Sequence, residues 1–544
     1  MRVGKLHVNA AAALSCVLGV GIALGFGAVL AAPANTPQAR ADAAFKAAGL
    51  SDVKLAPAII NLVVKGSMQQ WDPGESESVS DPAKPDWGTS TFTKTWDRAR
   101  DLYRFDWVRP RAAGGMRTYT EIVYPNGGYV IGNDANGGPP RRATPGDRPM
   151  HAESGVRLTA TLRELERNTL VLKMHEHPDR LSESPNVTVG GKSYPAVQFR
   201  GDYASYTVMF DPATSLPAIV RTRDFDQLMG DANYDEAISD WRDVGMGIKV
   251  PFHETFTLNG IKIFDTTISE AMLNPQLPAD AFTIPIALRG KAPPPAAIGK
   301  VPYQWILRRL ATSFYLDSDA LYTDDGVTMA FTDVGPNISM VTGGSHNTLV
   351  VATNTYLVAF EAPGDDGLSK WTIDAAAQKY PGKPFRYVVL THHHIDHSGG
   401  LRAYAAEGAT IVVGKGNGDF FRKVLAAPHG LDSYPLKPFT PKVIEVDGKW
   451  SVNDGGRVIE AYSLENPHAT GYVIPYVPDA KLGFVTDLWN PGGPIPAMPN
   501  PNMVAVVRGV EKMGIQPERF AGGHGAVGPY ADLAQAVQKA GGGR

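Results

Sequence analysis

The chain has 544 residues, which is long enough for more than one domain with a core of its own. Its composition is globular and rich in loops, since 43% of the residues are hydrophobic, 20% are charged, and there are 57 glycines and 43 prolines. The formal net charge of −3 and the pI near 6.5 indicate no basic surface of the kind that binds nucleic acid. We therefore expect no nucleic-acid partner.

Residues 1–31 have the pattern of a signal peptide. Arg2 and Lys5 form a basic start, an apolar stretch of about 21 residues follows, and Ala31 supplies the small side chain that signal peptidase requires. The stretch is long enough to remain as a membrane anchor, but its alanines and glycines make it only mildly hydrophobic, which favours cleavage. Cleavage would also remove Cys16, the only cysteine, and leave a chain that needs no disulfide in an oxidising compartment. The prediction is a periplasmic or secreted protein that touches a membrane only if this segment is retained.

Residues 35–290 predict a domain built mainly of antiparallel strands. Short apolar runs alternate with turns, and the run 253–258 faces the run 261–264 across Asn259-Gly260, which is a strong hairpin signal. A helical stretch at residues 156–168 interrupts the strands, so we expect a sheet curled around a helix. The turns at Asp211-Pro212 and near Asn274 give the domain a resemblance to the half-barrels of periplasmic lipoprotein carriers. That resemblance implies an apolar ligand.

Residues 291–300 predict a linker between two domains. Three consecutive prolines, residues 293–295, favour a stiff and extended chain. We expect this segment to be exposed and to be the first site of limited proteolysis, with the second domain at residues 301–544.

The densest group of metal-ligating side chains follows one predicted strand of this second domain. Residues 387–391 are an apolar, β-branched run typical of a buried strand, and residues 401–406 have a helical pattern. The loop between them carries a His-x-His-x-Asp-His motif formed by His392, His394, Asp396 and His397. Imidazole and carboxylate are good zinc ligands, and open α/β sheets place their sites at the carboxyl ends of strands. The spacing allows the first two histidines to face one metal and Asp396 with His397 to face a second.

This motif resembles the signature of the metallo-β-lactamase superfamily, whose members are αββα metallohydrolases. The resemblance covers roughly residues 320–540 and implies three later ligands, which are His468, Asp487 between the metals, and His524. It implies an α+β fold class, with a C-terminal αββα metallo-β-lactamase sandwich preceded by a mainly antiparallel, half-barrel-like β domain. The true β-lactamases lack a bridging carboxylate, so Asp487 indicates the glyoxalase, lactonase and phosphoester side of the superfamily.

The same resemblance implies a hydrolase with two divalent metal ions, for which Zn²⁺ is favoured. A bound metal lowers the pKa of water to about 7, so a metal-bridging hydroxide could attack an ester, a lactone or a related acyl or phosphoryl bond without a serine or cysteine nucleophile. We expect Asp396 to be the catalytic residue that orients this water and carries its proton, although its role as a ligand alone stays open. The expected partner is a small-molecule substrate, apolar or acyl-bearing. No sequence feature indicates an oligomeric state.

The remaining histidines have more modest interpretations. His175 and His177 stand two apart without a nearby partner, so we interpret them as surface or core histidines. His393 should point away from the ligands on either side of it and serve the structure. His346 lies on a loop before a strand, where it could contact substrate or equally bond its own loop.

The alternative function is that of a periplasmic binding or carrier protein for an apolar ligand, with the metal domain as a structural partner. The intact set of seven ligand positions favours the hydrolase, because a degenerate site should have lost at least one of them.

Overall fold

The computed structural model describes residues 36–50, 59–80, 88–110, 115–134, 150–296, 303, 329–344, 346–432 and 434–541. The predicted signal peptide and most of residues 297–328 lie outside these ranges, so the export of the chain and the linker boundary stay predictions. Within the described ranges, no helix combines the length and the hydropathy that a bilayer crossing requires.

One large antiparallel sheet dominates the N-terminal part of the described chain. It has 13 strands in the order β6-β5-β4-β3-β2-β1-β15-β14-β13-β12-β11-β10-β7, and β1 pairs with β15 near its centre. A separate hairpin is formed by β8 and β9. The strands of this part are β1 (Asn61–Gln70), β2 (Ser90–Asp97), β3 (Leu102–Pro110), β4 (Met116–Tyr124), β5 (Gly127–Gly132), β6 (Met150–Ala152), β7 (Leu181–Glu183), β8 (Val187–Val189), β9 (Lys192–Tyr194), β10 (Ala196–Arg200), β11 (Ser205–Phe210), β12 (Pro217–Asp226), β13 (Gly230–Asp243), β14 (Lys249–Leu258) and β15 (Ile261–Leu273).

The hairpin predicted across Asn259-Gly260 joins β14 to β15. Both turn residues have positive φ, +48° for Asn259 and +85° for Gly260, as a tight hairpin turn requires. The turn that the sequence predicts is therefore the turn that joins the two strands.

A helix packs on this sheet and gives it a core. The helices of this part are α1 (Pro37–Ala47), α2 (Gly155–Asn168) and α3 (Leu170–Glu176). The side chain of Ser154 caps α2 by accepting a hydrogen bond from the backbone N–H of Arg157 at 3.2 Å. Leu158, Leu162 and Leu165 recur along one face of α2 and are buried against side chains of β3 and β4. The predicted arrangement of a helix against an antiparallel sheet is thus observed.

The C-terminal part contains two further sheets. A 7-stranded sheet has the order β16-β17-β18-β19-β20-β21-β22, and a 6-stranded sheet runs from β23 to β28 in sequence order. Parallel pairing begins at β19 and β20, and β26 pairs in parallel with β27. The strands are β16 (Ala330–Gly335), β17 (Ile338–Thr342), β18 (Thr348–Ala352), β19 (Leu357–Phe360), β20 (Phe385–Val389), β21 (Thr410–Gly414), β22 (Val443–Val446), β23 (Lys449–Asp454), β24 (Arg457–Leu464), β25 (Tyr472–Val477), β26 (Leu482–Val485), β27 (Arg519–Gly522) and β28 (Val527–Pro529).

Three hydrophobic clusters define the layers of this part. Leu349 and Val351 of β18 face a cluster between the two sheets, whereas Val350 and Ala352 of the same strand face helices. Strands buried on both faces read as continuous apolar runs, which explains the pattern of β18 and β19. The helices of this part are α4 (Asp366–Lys379), α5 (Ile395–Ser398), α6 (Leu401–Ala406), α7 (Gly418–Ala426), α8 (Pro501–Met513) and α9 (Tyr530–Lys539). With α4, α6 and α7 on one outer face and α8 and α9 on the other, the layers follow the order αββα, and the predicted α+β fold class is confirmed.

The two parts are docked through buried contacts. Arg402 of α6 is fully buried and donates hydrogen bonds to the backbone carbonyls of Gln227 and Leu228, between β12 and β13. A second contact is made by residues 71–77, between β1 and β2, which we call the docking loop. The proline segment also packs, since the N–H of Ala296 donates to Gly155 O at 3.0 Å.

Candidate metal centre

The predicted site residues lie just beyond the ends of strands from both C-terminal sheets. His392 to His397 follow β20, and the loop after β24 carries His468. Asp487 follows β26 and His524 follows β27. Because these strand ends meet at one edge of the sandwich, all seven predicted ligand positions are brought together.

The side chains form two groups of four. His392, His394, His468 and Asp487 offer ligand atoms within 4.8 Å of one another. A second group with ligand atoms at the same separation is formed by His346, Asp396, His397 and His524. We call each such set of side chains a metal-competent group. Both clusters contain the nitrogen and oxygen donors that zinc prefers.

Asp487 lies between the two groups. Its Oδ2 is 3.2 Å from His392 Nε2, 3.1 Å from His468 Nε2 and 3.0 Å from His397 Nε2. Its Oδ1 is 2.6 Å from His524 Nε2. One carboxylate therefore faces histidines of both groups, as the predicted bridging position requires.

Two carboxylate residues of the site have left-handed backbone conformations. Asp487 has φ +60° and Glu361, the first residue after β19, has φ +73°. Residues other than glycine adopt the left-handed backbone conformation at a cost of roughly 1–3 kcal/mol, and such strain is concentrated at functional sites. The surrounding structure therefore holds both carboxylates where they are.

The electrostatics of the centre favour neutral imidazoles at His392 and His394, a charged imidazolium at His397 and an ionised carboxylate at Asp487. Burial lowers the pKa of His392 well below its ordinary value and that of His394 to about 4. Burial alone would raise the pKa of Asp487, but the histidines around it, led by His397, hold it well below its ordinary range. Burial alone would lower the pKa of His397, but nearby carboxylates, first Asp396, raise it well above its ordinary value. The negative field at this point would equally stabilise a metal cation.

Several groups outside the seven orient the histidines. Glu361 Oε2 lies 2.6 Å from His397 Nδ1, and Glu361 Oε1 accepts a hydrogen bond from the N–H of Thr391 at 2.7 Å. Ser76 O lies 2.9 Å from His394 Nε2. Because a carbonyl can only accept, Nε2 of His394 carries the proton and Nδ1 keeps its lone pair for a ligand.

The loops that carry His468 and His524 are fixed by amide side chains. Asn466 Oδ1 accepts from the N–H of His468 at 2.9 Å, and the Nδ2 of Asn347 donates to the carbonyls of Gly522 and Gly525 at 2.9 and 3.0 Å. The second contact also holds the loop of His346 against the site.

His346 belongs to the centre, whereas the other histidines of uncertain role do not. His346 Nε2 lies 3.3 Å from Asp396 Oδ2, and its ring packs edge-on against His524 with centroids 4.3 Å apart. His393 is buried beside Phe420, where burial lowers its pKa to about 3. This is the structural position that the sequence predicts for it.

The pair at 175 and 177 lies elsewhere. His175 stacks on Phe45 at 3.9 Å and contacts Asp42 Oδ1 at 2.9 Å on the surface of the N-terminal part. Neither His175 nor His177 belongs to a metal-competent group among the described residues.

Sequence reasoning missed Glu361, Ser76 and Glu75. Glu361 could have been found, because it directly follows β19, which runs parallel to β20, and parallel neighbours end at the same edge. Ser76 is 318 positions away from His394 along the chain and acts through its backbone carbonyl. Glu75 Oε2 lies 3.4 Å from His394 Nδ1, and no local pattern marks it.

The donor set fits a metal ion. Two ligand atoms of one tetrahedral zinc lie roughly 3.3 Å apart when each bond is about 2.0–2.1 Å long. The histidine nitrogens of the first group approach Asp487 Oδ2 at 3.1 and 3.2 Å, close to that separation. His397 Nε2 is buried and faces the same oxygen without making a hydrogen bond within the described ranges. A cation between these atoms would take the buried nitrogens and the carboxylate as its ligands.

A cavity lies in the N-terminal part, between the large sheet and α2. Its volume is about 160 Å³. Its wall includes the aromatic side chains of Phe105, Trp107 and Phe256 together with charged ones such as Lys94 and Glu254. The cavity is thus amphipathic.

Comparison with known proteins identifies the class of the C-terminal part. Residues 332–528 match the family model described as the metallo-beta-lactamase superfamily. The search of curated proteins found no match. Residues 332–528 are therefore a metallo-β-lactamase superfamily domain, and the domain is that of a metal-dependent hydrolase.

Solved structures similar to this chain cover 39% of it. The metallo-β-lactamase from Pontibacter korlensis is 18% identical with a TM-score of 0.31, and 99% of that chain is covered. FIM-1 from Pseudomonas aeruginosa, in its mono-zinc form, is 18% identical with a TM-score of 0.30 and 95% covered. The inverting sec-alkylsulfatase Pisa1 from Pseudomonas sp. is 18% identical with a TM-score of 0.30, and the match spans only 40% of its length.

Proposed function

We propose that this protein is a dinuclear metal hydrolase, with Zn²⁺ as the metal, that acts on an ester, a lactone or a related acyl or phosphoryl bond of a small molecule. The observation that carries the proposal is the position of Asp487, whose two oxygens lie 2.6–3.2 Å from nitrogens of four histidines drawn from both groups. A structural site for one metal would need only one group.

The geometry supports a division of the ligands between two ions. One would be held by His392, His394 and His468, and the other by Asp396, His397 and His524, with Asp487 shared. When bound, two metals supply an activated water and polarise the oxygen under attack.

The chain's own residues would then orient the reactants. Asp396 Oδ2 lies 3.5 Å from His397 Nε2 and 3.3 Å from His346 Nε2, so this carboxylate is anchored from two sides within the second group. A carboxylate fixed in this way can orient a water and accept its proton. We propose that His346, a member of the same group, contacts a bound substrate.

The test combines metal analysis with a substrate panel. The purified protein should contain two zinc ions per chain by mass spectrometry of the metals. Among lactones, acyl esters, thioesters and phosphodiesters, one class should be hydrolysed, and the rate should fall on chelation and return with added Zn²⁺. Fully metallated protein that hydrolyses none of these classes would contradict the proposed reaction.

We also propose that the chain is exported, on the basis of its basic and apolar N-terminal pattern. N-terminal sequencing of the periplasmic fraction should find a mature chain that begins near Ala32. Recovery of Met1 in washed membranes would indicate a retained anchor instead.

A second candidate function, ligand binding by the N-terminal part, is favoured by the cavity beside α2. Aromatic rings in its wall would hold an apolar body, and its charged side chains favour a polar group on the same ligand. Such a ligand could also be a substrate of the metal centre.

Fluorescence titration with N-phenyl-1-naphthylamine tests this second function. Binding should be saturable at one site per chain and weaker in Met68→Trp, because Met68 lines the cavity. The matched control is Met116→Trp, since Met116 is 54% exposed and lies outside that wall. Equal dye affinity in both variants would count against the cavity as the binding site.

A further inference from the structure

The docking loop brings a carboxylate of the N-terminal part into the metal centre. Glu75 Oε2 lies 3.4 Å from His394 Nδ1, and the Glu75 side chain is only 17% exposed. Glu75, His394 and Asp396 offer ligand atoms within 4.8 Å of one another, which makes them a third metal-competent group. This group contains one residue from each of the other two.

The position of Glu75 is built by the backbone on both sides of it. Gly74 O accepts a hydrogen bond from the N–H of Ile395 at 3.0 Å, and Ser76 O accepts one from His394 Nε2 at 2.9 Å. Glu77 O accepts from the N–H of Thr470 at 2.8 Å. The docking loop is therefore fastened to the loops that carry two of the proposed ligands of one metal.

The close approach of the loop depends on a glycine. A Cβ added at Gly74 would lie 3.0 Å from Cβ and Cγ2 of Ile395, tighter than side chains normally pack. Asp72, which is buried, accepts a hydrogen bond from the N–H of Gly74 at 3.0 Å and holds the turn. These contacts fix the backbone on both sides of Glu75.

We infer that Glu75 is an additional ligand of the metal held by His392, His394 and His468, so that the N-terminal part completes the centre. The inference rests on the proposed two-metal function. The separation of 3.4 Å between Glu75 Oε2 and His394 Nδ1 matches the roughly 3.3 Å expected for two ligand atoms of one tetrahedral zinc. Catalytic zinc can expand from four ligands to five, so Glu75 can join the three histidines and Asp487 at this metal, and the activated water then belongs to the metal held by Asp396, His397 and His524.

Metal affinity and ligand-field spectra test the assignment. We would compare wild type with Glu75→Gln, which keeps the side-chain shape, and with Glu77→Gln, which removes the same charge from an exposed side chain of the same loop. Changes to groups that only orient a ligand cost ~10–100-fold in affinity, so loss of a direct ligand should cost at least that for one of the two metals. The absorption bands of the cobalt-substituted protein should change in Glu75→Gln and stay as in wild type in Glu77→Gln.

The outcomes separate this assignment from the proposed function. Two tight zinc ions in wild type, with unchanged affinity and cobalt spectrum in a folded Glu75→Gln protein, would overturn the role of Glu75 alone. Wild-type protein that binds no zinc would overturn the two-metal function and this assignment with it. If Glu75→Gln does not fold, Glu75→Asp keeps a shorter carboxylate, and an unaltered zinc affinity in that variant would also count against a direct bond.

Discussion

Asp487 and His524 make different contributions to the centre, and their removal should have different effects. Asp487 faces both groups of histidines, whereas His524 belongs only to the second. We expect Asp487→Ala to lower zinc content toward one per chain and to cost at least 10–100-fold in activity, the loss typical of groups that merely orient ligands. His524→Ala should weaken only the second metal.

Metal analysis with kinetics on both variants checks this prediction. His175→Ala is a suitable control, because His175 lies on α3, in contact with Asp42, outside every metal-competent group of the described chain. If Asp487→Ala and His524→Ala both keep two tightly bound zinc ions and full turnover, neither residue is a ligand.

A buried ion pair in the N-terminal part should make stability depend on pH. Burial alone would raise the pKa of Asp134, but Arg157, at 2.6 Å, and His151, at 3.1 Å, hold it well below its ordinary 3.8. A depressed carboxyl pKa stabilises the fold above about pH 3.8, and this contribution is lost as the pH falls below that value.

We therefore expect Asp134→Asn to lose roughly 3–5 kcal/mol of unfolding free energy at pH 7, the usual cost of breaking a buried pair. Its stability should then fall less steeply than that of wild type below pH 3.8. Urea unfolding across this range is the measurement. Asp419→Asn, which disturbs an exposed pair with Arg422, should leave the profile unchanged.

Among individual residues, the sequence predicts those whose chemistry depends on local spacing. The His-x-His-x-Asp-His motif is such a case, and the family resemblance adds His468, Asp487 and His524, which the structure brings beside it. Ser76 and Glu75 are different, because they reach His394 from a loop that is remote along the chain. Ser76 also acts through a backbone carbonyl, which every residue possesses and no motif can mark.

Helix α5 carries Asp396 and His397, so its packing should control the centre. A Cβ added at Gly399, directly after α5, would overlap the backbone oxygen of Gly364. Gly399→Ala should therefore lose about 1–3 kcal/mol of stability and also bind zinc more weakly, because relief of the overlap moves α5.

Thermal unfolding with zinc titration measures both effects. Gly335→Ala is the matched control, since its Cβ would meet only Ile338, at 3.7 Å. Equal stability and zinc affinity in the two variants would show that the turn at Gly399 has no part in positioning Asp396 and His397.

Elements with a strong local signal were predictable and the arrangement of the large sheet was not. The hairpin at Asn259-Gly260 and the helix near residues 155–168 follow from turn chemistry and apolar periodicity. The pairing of β1 with β15, by contrast, joins segments about 200 residues apart, as the Lys65–Glu270 contact shows. Alternation within a strand predicts which face is buried, but it does not specify the partner strand.

Docking of the two parts should depend on Arg402. Its buried guanidinium donates to carbonyls on both sides of the contact, those of Gln227 and Leu228 in one part and Val424 in the other. Arg402→Met would leave these carbonyls without their donor at a cost of roughly 1–3 kcal/mol each. We expect the wild type to unfold in a single transition and Arg402→Met to unfold in two.

Differential scanning calorimetry detects such a separation, and Arg422→Met, at a half-exposed position, provides the control. A single transition at the wild-type temperature in Arg402→Met would mean that the parts are held together by other contacts.

The two-part organisation was predictable from composition, and the extent of contact between the parts was not. The proline run indicates a boundary, which stays a prediction for limited proteolysis to test. The structure also places Val156 and Leu228 of the N-terminal part in one hydrophobic cluster with Val350 and Leu390 of the C-terminal sandwich. Complementary surfaces of this kind arise only when both folds are formed, so neither sequence pattern reveals them.

The bond between Ser76 and His394 has a consequence for the order of events during biogenesis. The docking loop leaves the ribosome long before the strands that carry the histidines, and domains generally fold as units in the order of their synthesis. His394 acquires its fixed tautomer only when both units are folded and have met. The metal centre is therefore completed only after the two units have docked. The time at which the chain begins to bind metal tightly should report when that docking occurs.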